Sequence, residues 1–104
     1  PFNLNEGIND PHQEVIIEVQ YDNSWIGSVT NQEIHQNFSG TKPGSITIQR
    51  PKGQAVWVIS ASAQKGDGSS DTLTLRIKSL DGEILAEKST YVAHGLVATS
   101  VTIR

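Results

Sequence analysis

Apolar residues that recur at every second position leave a chain few choices, and "TLTLRIKS" (Thr72–Ser79) is the cleanest case here. Leu73, Leu75 and Ile77 fall on one side, and Thr72, Thr74, Arg76 and Lys78 on the other, the pattern of a strand with one buried face. Asp81-Gly82 follows, a pair suited to the positive φ of a tight turn, and "EILAEKST" resumes beyond it. One β-hairpin is therefore predicted near the C-terminal end.

Comparable segments run through the chain. In "EVIIEVQY", Val15, Ile17, Val19 and Tyr21 share a face, and Asp22-Asn23 predicts a tight turn into "SWIGSVT" and so a first hairpin. "QEIHQNF" sets Ile34, Gln36 and Phe38 opposite Glu33, His35 and Asn37, and "SITIQR" brings Ile46 and Ile48 together. "LVATSVTIR" places Val97, Thr99, Val101 and Ile103 on one face. The most apolar run, "QAVWVISASAQ", lacks clean alternation and predicts a central strand covered on both faces over Val56–Ala61. No segment carries a sustained helical period. Seven or eight strands in an all-β sandwich or barrel follow, with a core drawn from Val15, Ile17, Val19, Ile46, Ile48, Val56, Val58, Leu73, Leu75, Ile77, Ile84, Val97 and Val101.

A length of 104 residues suits one domain with one core. "PFNLNEGINDPH" mixes turn-forming residues with isolated apolar ones, which predicts a linker or arm over 1–12 and a single domain over 13–104. The absence of cysteine excludes disulfides and thiolate metal sites. A net charge of -3 offers no cationic footprint for nucleic acid, and no run reaches the roughly 18 apolar residues of a membrane helix, so neither nucleic-acid binding nor direct membrane insertion is expected. A start at Pro1 leads to the expectation of a segment from a longer chain.

Catalytic and metal chemistry lack a motif. His12, His35 and His94 stand far apart without zinc-ligand spacing, and Asp67 and Asp71 lack the calcium-loop pattern, so no metal or cofactor is expected. "KGD" at Lys65–Asp67 is too short to mark an adhesive site. No serine occupies a G-x-S-x-G elbow, and "KGDGSS" lacks the ending of a phosphate loop, so no catalytic residue is assigned and a non-enzyme is expected. Among the aromatics Trp57 is expected in the core, while Trp25, beside a turn, and Tyr91 are the candidate ligand contacts, as rings on which a sugar could stack. Asn37-Phe38-Ser39 matches the N-glycosylation acceptor pattern, which makes Asn37 the candidate modification site.

The segments "VIIEVQYDNSWIGSVTN", "VISASAQKGDG", "LTLRIKSLDGEILAEKST" and "HGLVATSVTI" together resemble the β-sandwich domain of MmpS-type exported accessory proteins and of related archaeal cell-surface proteins. The likeness runs from about Val15 onward and centres on Ser62–Gln64, Asp81-Gly82 and the small-residue closing strand. It implies an immunoglobulin-like antiparallel sandwich outside the membrane, in an anchored parent protein at the cell surface. Such a domain serves structural spacing or contact with other domains and surface proteins. A glycan-binding module and an accessory domain of a membrane exporter are the alternatives; the membrane helix of MmpS-type proteins has no counterpart in this sequence.

Overall fold

The structure, a computed structural model, describes residues 14–31, 34–51, 53 and 55–104. Its strands are β1 (Glu14–Gln20), β2 (Trp25–Asn31), β3 (Ile34–Gly40), β4 (Gly44–Gln49), β5 (Trp57–Lys65), β6 (Leu73–Ser79), β7 (Ile84–Thr90) and β8 (Leu96–Ile103). They form two antiparallel sheets, β4-β1-β6-β7 (sheet A) and β3-β2-β5-β8 (sheet B), and there is no helix among the described residues. The fold is an all-β sandwich. Strands β3-β2-β5 and β4-β1 follow the immunoglobulin-like neighbour order, with the differences that β6, from later in the chain, lies on the other side of β1 and that β8, not the strand directly after β5, lies beside β5.

Alternation does the folding work. Val15, Ile17 and Val19 of β1 meet Leu73, Leu75 and Ile77 of β6 across the gap from Trp25, Val29, Trp57, Ile59, Ala61 and Ala63 of sheet B. Every one of these side chains is buried, and the expected core members Ile48 and Val97 join them, with Ile46 and Val101 half-buried against the cluster. Asp81-Gly82 closes the β6–β7 hairpin as expected: Gly82 takes a φ of 94°, and its N–H donates to the Ser79 carbonyl at 3.1 Å.

Three expectations need correction. Tyr21–Ser24 does not close a hairpin, because β1 lies in sheet A and β2 in sheet B; the segment crosses the sandwich, and β2 pairs instead with β3. The β5 run is covered on one face only. Trp57, Ile59, Ala61, Ala63 and Lys65 point in, whereas Val58 is 42% exposed; Val56 and Ile84 are also exposed, so these three expected core members lie outside the core. A tryptophan fills more of the core than a valine can, so Trp57 sets the register and its valine neighbours are turned outward. Calls on residues 1–12, His12 included, lie outside the described residues.

One end of the sandwich gathers the connections after β1, β3, β5 and β7. The opposite end holds the connections after β2, β4 and β6, together with the C-terminus. At that second end Asn31 ties the sheets together: its amide donates to the Gln49 carbonyl at 3.3 Å and its carbonyl accepts from the Trp57 indole.

Candidate functional site

Two places in the molecule hold polar groups in a defined arrangement. The first is at the end where β1, β5 and β7 finish. Lys65 is the last inward residue of β5 and is 1% exposed. Its ammonium donates to the carbonyls of Ser69 at 2.5 Å and Tyr91 at 3.4 Å, and stands 5.5 Å from the centre of the Tyr21 ring. The Tyr21 hydroxyl donates to the Asp67 carboxylate and shares a 2.8 Å hydrogen bond with the Ser69 hydroxyl, which also bonds Asp67 at 3.2 Å.

Burial, and then the neighbouring Asp67, push the Tyr21 phenol above its ordinary value. The phenolic hydrogen bond, reinforced by Ser69 and the Lys65 charge, holds the Asp67 carboxyl below its ordinary value. Backbone contacts complete the clamp: Gly66 N–H to Ser24 O at 2.8 Å, His94 N–H to Asp67 O at 2.9 Å and Lys65 N–H to Gly95 O at 2.9 Å. A Cβ at Gly66 would stand 2.7 Å from the Ser24 hydroxyl, so the close approach requires glycine. Lys65, Tyr21, Asp67 and Ser69 bond one another and the neighbouring backbone, which makes this cluster a fastening for three connections. The sequence hid it, because Lys65 opens a run of turn residues.

The second place is the outer face of sheet B. Strand pairing aligns its outward residues in rows: Ser39, Ile26, Gln64 and Leu96; then Asn37, Ser28, Ser62 and Ala98; then His35, Thr30, Ser60 and Ser100; and finally Val58 with Thr102. Ser28 and Ser62 share a hydrogen bond of 2.8 Å, and Thr30 bonds His35 at 3.0 Å. Beside the first two rows lies a shallow groove of about 540 Å³ that includes Ile26, Ser28, Asn37, Ser62 and Leu96 in its lining. None of the residues in these rows is Asp, Glu, Lys or Arg.

Sheet A is the reverse. Its outer face carries Glu14, Glu18, Arg76, Lys78 and Glu87, with Arg76 3.0 Å from Glu18 and also paired with Glu87, and Lys78 3.5 Å from Glu18. The bonds to Glu87 and Glu18 hold the Arg76 guanidinium above its ordinary value.

The candidate residues fall apart on this scaffold. Trp25 is 2% exposed, its ring edge-on to Phe38 at 5.3 Å and its indole N–H donating to the Lys42 carbonyl at 2.9 Å, so it offers no stacking surface. The ring is held inside because β2 begins with an inward position. Tyr91 is 69% exposed in the β7–β8 connection, without Trp25 beside it on the surface. Asn37 and Ser39 are both exposed on edge strand β3. Asp67 and Asp71 are joined to Tyr21 and, at 3.5 Å, to Asn23, and among the described residues no three metal-ligating side chains cluster. No helix among them is long and apolar enough to cross a membrane. Compared with known proteins, the chain matches no family model, no curated protein and no solved structure.

Proposed function

We propose that the chain is a non-catalytic domain of a larger cell-surface protein, working outside the membrane in structural spacing or protein contact. The observation that carries this reading is the division of charge between the two faces, ionic on sheet A and, among the described residues of the aligned rows, free of Asp, Glu, Lys and Arg on sheet B. Depletion of charged residues is one compositional feature of the core of a protein contact surface. The surface setting draws support from the resemblance in Ser62–Gln64, Asp81-Gly82 and the closing strand to MmpS-type and archaeal surface domains. Burial of Trp25 weakens the alternative of an aromatic sugar platform.

The lack of cysteine makes the setting measurable. A Ser45→Cys change on the exposed side of β4 introduces the one thiol of this segment, and its labelling is read against the parent protein without the change. In the parent protein on intact cells, that thiol is expected to react with a membrane-impermeant maleimide before lysis. Labelling that requires lysis would overturn the surface reading.

A further inference from the structure

We infer that Asn37 accepts an N-linked glycan whose first sugars lie in the groove beside it, an inference that rests on the surface reading, because the lipid-carried donor of such a glycan serves secreted and surface proteins. Asn37-Phe38-Ser39 is the single N-x-[ST] match in the 104 residues. The strand presents it whole. Phe38 turns inward, its ring edge-on to Trp25 at 5.3 Å, which sends Asn37 and Ser39 outward together, both exposed. β3 is an edge strand of sheet B, so no described strand covers its free side. His35 on the same face is tied to Thr30, and Ser28 opposite Asn37 is tied to Ser62. No hydrogen bond among the described residues engages the Asn37 amide or the Ser39 hydroxyl, so the acceptor and the hydroxyl its pattern demands both face solvent uncommitted.

The transfer needs one co-reactant, a polyprenyl phosphate- or pyrophosphate-linked oligosaccharide. The Asn37 amide nitrogen bonds to C1 of the first sugar, and the C1–O bond to the lipid phosphate breaks with its electron pair kept by the phosphate. The amide gives up one proton to a base of the transferase and retains the other. Once attached, the glycan has a place to lie. The groove of about 540 Å³ that Asn37 helps to line holds Ile26 and Leu96, 58% and 63% exposed. Three strand spacings of ~4.8 Å put Leu96 roughly 14 Å from β3. A sugar ring offers apolar C–H faces and a rim of hydroxyls, so it covers Ile26 and Leu96 and meets the Ser28 and Ser62 hydroxyls in the adjoining row. The row of Thr30, Ser60 and Ser100 lies beyond the groove and stays open to a protein partner.

The test uses the parent protein isolated from its own cells. Peptide mapping by mass spectrometry is expected to find the peptide containing Asn37 heavier by the mass of a glycan. Asn37→Gln and Ser39→Ala should each abolish that increment, and Ser39→Thr, which keeps the hydroxyl, should retain it. A wild-type peptide of unmodified mass overturns the inference, and it decides even where a variant fails to fold. Methyl spectra of the glycosylated protein against Asn37→Gln then test the seating. Shifts at Ile26 and Leu96, with the exposed Ile84 of sheet A unmoved, support it; unmoved Ile26 and Leu96 methyls would put the glycan in solvent and overturn it. The two readings fail separately. Ser45→Cys protein that reacts with maleimide before lysis while Asn37 is unmodified sinks the glycan and leaves the surface reading standing, whereas labelling only after lysis sinks the surface reading itself.

Discussion

A lysine shut inside a sandwich must be held by groups that replace its water, and Lys65 has the Ser69 and Tyr91 carbonyls and the face of Tyr21. Lys65→Met keeps much of the apolar stem but leaves those carbonyls without their donor. It should cost about 1–3 kcal/mol in urea unfolding, against almost nothing for a surface Lys42→Met. The neighbouring pair sets a pH dependence at both extremes. Because the Asp67 pKa is lowered on folding, its contribution is present above the ordinary carboxylate value near 4 and is lost as pH falls through the folded value. Because the Tyr21 pKa is raised, its contribution is present below about 10 and is lost as pH rises towards the folded value. Tyr21→Phe should therefore flatten the melting temperature against pH in both windows. Unchanged slopes would mean that the Tyr21–Asp67 bond does not form in solution. None of this was legible in "KGDGSSD", whose glycines and serines signal a turn and conceal that Lys65 is the last inward residue of a strand.

At the scale of the element, simple alternation was enough to read β1, β6 and β8: β6 carries its apolar residues on one parity, and β1 and β8 carry most of theirs so, with Ile16, Leu96 and Ala98 on the other. β5 misled because Val56, Trp57, Val58 and Ile59 offer apolar residues on both parities, and volume decides between them. A one-residue slip exchanges the two faces completely, so paired substitutions test the register sharply. Ile59→Ala should destabilise by about 2–5 kcal/mol, as should Leu75→Ala on β6. Val58→Ala should change stability by less than about 0.5 kcal/mol. Reversal of the Ile59 and Val58 costs in chemical denaturation would move the strand by one residue. The first turn failed for a different reason: Asp22-Asn23 marks a change of direction but says nothing about whether the next strand joins the same sheet or the opposite one.

For the whole molecule, the topology has a regularity invisible in the residues. Replacing each of β1–β4 by β5–β8, and the reverse, converts the order β4-β1-β6-β7 into β8-β5-β2-β3, which is sheet B read backwards. Each half of the chain thus gives one paired edge and one hairpin, and neither half owns a sheet. The same interleaving explains why the rows of small residues on sheet B could not be foreseen: Ser28, Ser62 and Ala98 belong to three distant segments, and only the pairing of β2 with β5 and β5 with β8 puts them side by side. It also makes the halves interdependent. The central pairs β1·β6 and β2·β5 both cross between halves, so a fragment of residues 1–53 would expose the inner faces of β1 and β2, and a fragment of 54–104 those of β5 and β6. Two-stranded units are at best marginal in water, so each fragment alone should give the narrow amide dispersion of an unfolded chain. Mixed together, the fragments should recover the dispersed spectrum of the intact protein, because the central pairings and the core they enclose need no covalent link across residue 53. A fragment that folds by itself would show that its own strands suffice for a core and would refute the interleaved topology as the source of stability.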